Sequence, residues 1–179
     1  IPLIDEASVS DSVRLSSDAF TASGNFIMRG HNDYVFIDCG HVGLAGRGGH
    51  GHNDCLSFVA VLAGCELVAD TGSYIYTSNY KERQRRRGTQ CHNTPMIAQQ
   101  EINRFIHPDN LWFLNEDAIP SVEQWFDSRT ISIFRGSHSG YLRLSPPVRP
   151  VRAIVLDKER SGLLIRDSFA PSGASHSVV

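Results

Sequence analysis

The sequence predicts an all-β fold, an antiparallel sandwich or barrel, and three observations predict it. Short runs rich in β-branched and aromatic residues recur along most of the chain, each closed by glycine or polar turn residues. Three pairs of these runs are joined by short loops, two of them with clear hairpin length and composition. No stretch of a dozen residues carries a convincing amphipathic helical period, so alternating α/β architecture is excluded.

Taken in order, residues 1–23 mix serines with acids and read as a lead-in or loosely packed edge, and a single domain is expected over 24–179. Runs 25–29 and 34–39 flank Gly30-His31-Asn32-Asp33, a first hairpin. The apolar run 56–62 and the run 66–69 sit on either side of Gly64, a second strand pair. Runs 95–98, 111–114 and 130–134 continue the strand pattern, the last with clear alternation. Runs 152–156 and 163–167 enclose a charged turn, a third hairpin. Only residues 78–87 have helix-friendly composition. With 179 residues, 41% of them hydrophobic, the chain can bury one substantial core. It starts at Ile1-Pro2 without methionine and stops on a strand-like run, which reads as part of something longer.

A formal charge of −2 excludes a general nucleic-acid or membrane-surface binder, whose basic surplus would appear in the total. No run approaches the ~20 apolar residues of a membrane span. Positive charge is local instead: Arg83, Arg85, Arg86 and Arg87 stand together, which suits one anionic ligand or a solvated loop. Cys39, Cys55, Cys65 and Cys91 form no C-x-x-C pair and read as small buried hydrophobes, with disulfides undetermined by spacing.

Residues 48–94 concentrate the chemistry. They open with Gly48-Gly49-His50-Gly51-His52-Asn53-Asp54 and pass through Asp70-Thr71-Gly72. They end with the basic run and Cys91-His92-Asn93-Thr94. In extended backbone His50 and His52 share one face, as joint ligands or in separate roles. Asp70 falls at the end of a strand run, where a hairpin returns it toward His52, and His92 can complete a set of two imidazoles and one carboxylate. Such a set suits Zn²⁺, which takes nitrogen and oxygen donors at about 2.0–2.2 Å and leaves a fourth position open. A turn-capping Asp70 and a hydrogen-bonded interior His92 are the plain alternatives. His107 is a reserve ligand, and Cys91 could add a thiolate or be an inert buried thiol.

In their order and spacing, these motifs resemble the heparinase II/III family. The matching residues are His50-Gly51-His52-Asn53-Asp54, Leu56-Ser57-Phe58, Asp70-Thr71-Gly72, Tyr80 and Arg87-Gly88-Thr89-Gln90-Cys91-His92-Asn93-Thr94. Asp167-Ser168-Phe169 with His176 is a weaker echo. The resemblance implies the two-sheet sandwich that follows an α-helical toroid in bacterial, periplasmic or secreted lyases of uronic-acid polysaccharides. It implies β-elimination: the C5 proton beside a uronate carboxylate is removed and the C4 oxygen expelled. His50 would face the substrate, and His52, Asp70 and His92 would hold a zinc that stiffens the site. Tyr80 would be the catalytic tyrosine, although Tyr74 and Tyr76 compete for that role. Arg87 and Arg83, with Tyr74 and Asn53, would bind the anionic sugar. The family's toroid supplies further catalytic residues that this chain lacks, so the domain alone is expected to be nearly inactive. A non-catalytic anionic-carbohydrate-binding module and a metal-dependent hydrolase are the competing expectations.

Overall fold

The computed structural model describes residues 16–107, 109–170 and 178. It consists of two antiparallel sheets, both simple meanders. The first holds β1 (Asp18–Phe20), β2 (Asn25–Arg29), β3 (Tyr34–Asp38), β4 (Phe58–Leu62) and β5 (Cys65–Val68) in sequence order. The second holds β6 (Pro120–Asp127), β7 (Ile131–His138), β8 (Arg149–Asp157) and β9 (Gly162–Ala170). A single α-helix among the described residues, α1 (Tyr80–Arg87), lies in the long connection between the sheets. No helix among them is long and apolar enough to cross a membrane.

Alternation decides which faces meet. Phe26, Met28, Val35, Ile37, Phe58 and Ala60 point inward from the first sheet, and Phe134, Ile154 and Leu156 from the second. Phe26 packs tilted against Trp125 and Phe134, with ring centroids 5.3 and 5.0 Å away. All three predicted hairpins form. Arg29 faces Tyr34, Leu62 faces Cys65 and Asp157 faces Gly162. The middle one closes through Ala63 and Gly64, both at positive φ (50° and 78°), the backbone of a two-residue turn that follows the strand twist. Asp18–Phe20, within the expected lead-in, adds a three-residue edge to this sheet.

Two expected strands are not strands. Runs 95–98 and 111–114 contribute only isolated bridges, Ile97 to Gln100 and to Val178, and Leu114 to Phe105. Ala98 and Gln99 take positive φ and fold the chain back at once, while Leu114 donates its amide to Gly46 O at 2.8 Å. Strand β6 is not expected from the sequence, because it begins on a proline and alternates poorly. Pro120 is acceptable there because a strand's first residue on a sheet edge need not donate to a ladder. His176 lies outside the described residues.

One side chain ties the second sheet to the central loops. Arg152, on β8, forms a paired bond to Asp167 on β9 (Nε–Oδ1 and Nη2–Oδ2 both 2.8 Å). Its Nη1 donates to Leu56 O at 2.8 Å and also to Asn93 O. Arg152→Met strands a carboxylate and two carbonyls. We expect a loss of about 3 kcal/mol in urea unfolding, the low end for a broken buried pair, because the Asp167 side chain is 28% exposed.

Candidate functional site

The connections after β3 and β5 converge at one end of the sandwich. Residues 48–54 form a loop before β4, and Gly49 and Gly51 let it lie flat. A Cβ on Gly49 would stand 2.5 Å from the Trp112 ring, and one on Gly51 would stand 2.2 Å from Val42 O. Helix α1 packs on this loop. Asn79 caps it by accepting the Glu82 amide at 3.2 Å, and Arg85, Arg86 and Arg87 in the last turn suit its negative end.

His50 is exposed, and its Nδ1 lies 3.1 Å from Tyr76 Oη, with the two rings edge to face. Tyr76 is therefore the tyrosine on His50. The expected Tyr80 stands elsewhere, at the first turn of α1, lining a cavity with Lys81, Gln84, Phe105 and Asp109. Tyr74 is widely exposed beneath the Arg86 guanidinium, which lies 4.9 Å from its ring centre.

Further along the loop that carries His50, His52 and Asp54 gather with His92, a ligand atom from each lying within 4.8 Å of the others. The His52 and His92 ring centroids are 5.2 Å apart. Asp70 reaches this cluster through His92, its Oδ2 lying 2.7 Å from Nδ1 while its Oδ1 accepts the Gly72 amide at 2.8 Å. With Nδ1 engaged, His92 Nε2 is left buried and without a hydrogen-bond partner. An orphaned imidazole nitrogen beside a second imidazole and a carboxylate is a donor set that fits a divalent cation such as zinc. The expected carboxylate, Asp70, is not among the three, and Asp54 takes that place. Asp54 ends the GHGHND run, and only the fold turns it toward the imidazoles. His107, the reserve ligand, is exposed beside Asp109 and is not in the cluster, and neither is Cys91.

Electrostatics reinforce this division. Burial, with His92 and Arg87 nearby, pulls the His52 imidazole down to about 4, so it is neutral and ligand-ready near pH 7. Burial also opposes charge on His92, but its bond to Asp70 and the nearby Asp54 outweigh this and raise its pKa. The same bond lowers Asp70. Burial pushes Asp54 up, and burial together with Asp54 pushes the neighbouring Asp38 up to about 7. A cation would relieve this crowding of buried carboxylates.

Three expected sugar-binding residues are turned inward instead. Arg83 and Arg87 are each about 1% exposed. Arg83 donates to Leu111 O (3.1 Å) and Gly49 O, and Arg87 donates to Gly51 O (3.1 Å) and Leu111 O (2.6 Å). Asn53 is fully buried, donating to Glu101 Oε2 (2.8 Å) and Asn103 O (2.9 Å) and accepting the Asn103 amide (3.0 Å). Most of their polar groups satisfy loop backbone that would otherwise be buried unpaired, while Arg87 Nη2 is buried without a hydrogen-bond partner.

Residues 13–179 match the family described as Heparinase II/III-like, C-terminal. The chain belongs to this family. Solved heparinases share the fold. The heparan sulfate lyase HepC from Pedobacter heparinus aligns over 86% of this chain with TM-score 0.64 and 16% identity. A mutant of that enzyme gives TM-score 0.65 at the same identity and coverage. The structure titled Heparinase III-BT4657 gene product aligns over 92% of this chain with TM-score 0.69 and 20% identity. The heparinase-like chain spans only 22–23% of the length of those proteins. No curated protein sequence matches it.

Proposed function

We propose that this domain is the β-sandwich part of a polysaccharide lyase that cleaves uronic-acid-containing glycans by β-elimination. The observation that carries the reading is the exposed His50–Tyr76 pair, whose His50 shares a loop with His52 and Asp54, which gather with His92. In this reading a helical domain elsewhere in the protein covers the cleft and completes the catalytic set, and the sandwich alone turns over little substrate.

Elimination needs a base at C5 and an acid at the C4 oxygen. The C5–H bond breaks, its electrons form the C4=C5 double bond, and the C4–O bond breaks with a proton delivered to the departing oxygen. His50 and Tyr76 share a hydrogen bond across which a proton can pass, so one takes the C5 proton while the other serves the leaving group. His52, Asp54 and His92 would hold a zinc, with Asp70 fixing the His92 ring through Nδ1. A cation held by these residues would supply positive charge there and would stiffen the loop carrying His50. The exposed Tyr74 ring, stacked by the half-buried Arg86, would offer a face to the sugar.

The test is product analysis. Incubating the protein that carries this domain with heparan sulfate, alginate and other uronic polymers should generate ultraviolet absorbance from the conjugated double bond. Saturated reducing ends would instead indicate a metal-dependent hydrolase. Salt-sensitive glycan binding without any product would indicate a binding module.

A further inference from the structure

Two arginines at the heart of this site are buried cations with no carboxylate partner among the described residues. Arg83 and Arg87 lie one helical turn apart on α1, and both side chains point into the protein. Each grips a carbonyl next to His50. Arg83 holds Gly49 O, on the peptide that enters His50, and Arg87 holds Gly51 O, one residue beyond it. Both also hold Leu111 O, which locks the loop bearing Trp112 to the same helix. Arg83 has one more contact. Its guanidinium lies 4.6 Å from the centre of the Tyr76 ring, whose hydroxyl meets His50. Trp112 approaches the same guanidinium at 5.4 Å.

Taking two guanidinium ions out of water without countercharge is costly, and general loop stability does not require it. Neutral donors could satisfy three carbonyls. What arginine adds is a rigid planar fork that spans two acceptors and offers a flat face to an aromatic ring. Lysine, a single flexible nitrogen, cannot hold Gly49 O and Leu111 O and also stack on Tyr76.

We infer that Arg83 and Arg87 are positioning residues for the His50–Tyr76 pair: they fix the backbone on both sides of His50, and Arg83 seats Tyr76 against it. This rests on the lyase reading above for its kinetic consequence, but not for its geometry. Neither residue touches substrate. Their contribution lies in the alignment of the reacting groups, where an error of about 1 Å can cost 100-fold in rate.

The experiment uses R83K and R87K in the full-length protein. On a uronic polymer that the wild type cleaves, each variant should lower kcat by about 10- to 100-fold with KM within about threefold of wild type. A loss carried by KM would make these residues substrate binders and overturn the proposal, as would an unchanged kcat. Crystal structures of both variants give a readout independent of activity. The His50 Nδ1–Tyr76 Oη distance, 3.1 Å here, should open beyond hydrogen-bonding range in R83K. If it stays closed in both variants, the positioning role is refuted. If the wild type forms no unsaturated product but the distance opens, the lyase reading fails and the positioning role stands.

Discussion

Replacing His50 with alanine in the full-length protein is expected to lower kcat for elimination by about 10²–10⁴-fold, the range that a positioned acid–base group contributes. The protein should stay folded, because the side chain is exposed and its side-chain hydrogen bond is the one to Tyr76. Surface substitutions of this kind change stability by roughly 0.5 kcal/mol or less. The relevant measurement is initial-rate kinetics on the best uronic substrate, paired with thermal melts of the same samples. A fall in kcat with unchanged melting assigns the loss to chemistry. Full retention of kcat would remove His50 from the mechanism.

The second large effect concerns metal. Zinc added to metal-stripped protein at about 100 times its Kd should stabilise the fold by about 2.7 kcal/mol, or roughly 5–10 °C in melting temperature for a chain of this size. His52→Ala, Asp54→Asn and His92→Ala should each abolish that shift. Asp70→Asn should keep it but demand about 10–100-fold more zinc, since Asp70 acts through the His92 ring. An equal loss in Asp70→Asn and Asp54→Asn would return Asp70 to the coordination sphere. The shift should also shrink as pH falls below the His92 pKa, which is raised above its ordinary value of 6.5. Below that point a proton competes with the metal for the imidazole. His52, held down at about 4, adds no such loss until the medium is far more acidic.

Much of this architecture is legible in the residues, and the parts that are not have physical reasons. The three hairpins announce themselves because each needs local turn chemistry, such as Ala63-Gly64, between two alternating runs. Runs 95–98 and 111–114 have strand-like composition, but their backbone partners come from loops and from Arg83 and Arg87. That is a tertiary demand that no window of sequence contains. That His52, Asp70 and His92 meet is readable from motif order. The choice between Asp54 and Asp70, and between Tyr76 and Tyr80, depends on how the loop turns in space. The arginines mislead most. A basic run suggests an anion at the surface, yet one helical period sends Arg83 and Arg87 inward while Arg85 stays with Glu82 at the solvent.

Soaking crystals with zinc and collecting anomalous diffraction at its absorption edge tests the account at its centre. One strong peak is expected, bounded by His52, Asp54 and His92 Nε2, with Asp70 still on Nδ1 and His50 outside the coordination sphere beside Tyr76. A peak elsewhere, or none at this cluster in protein that binds zinc in solution, would contradict it.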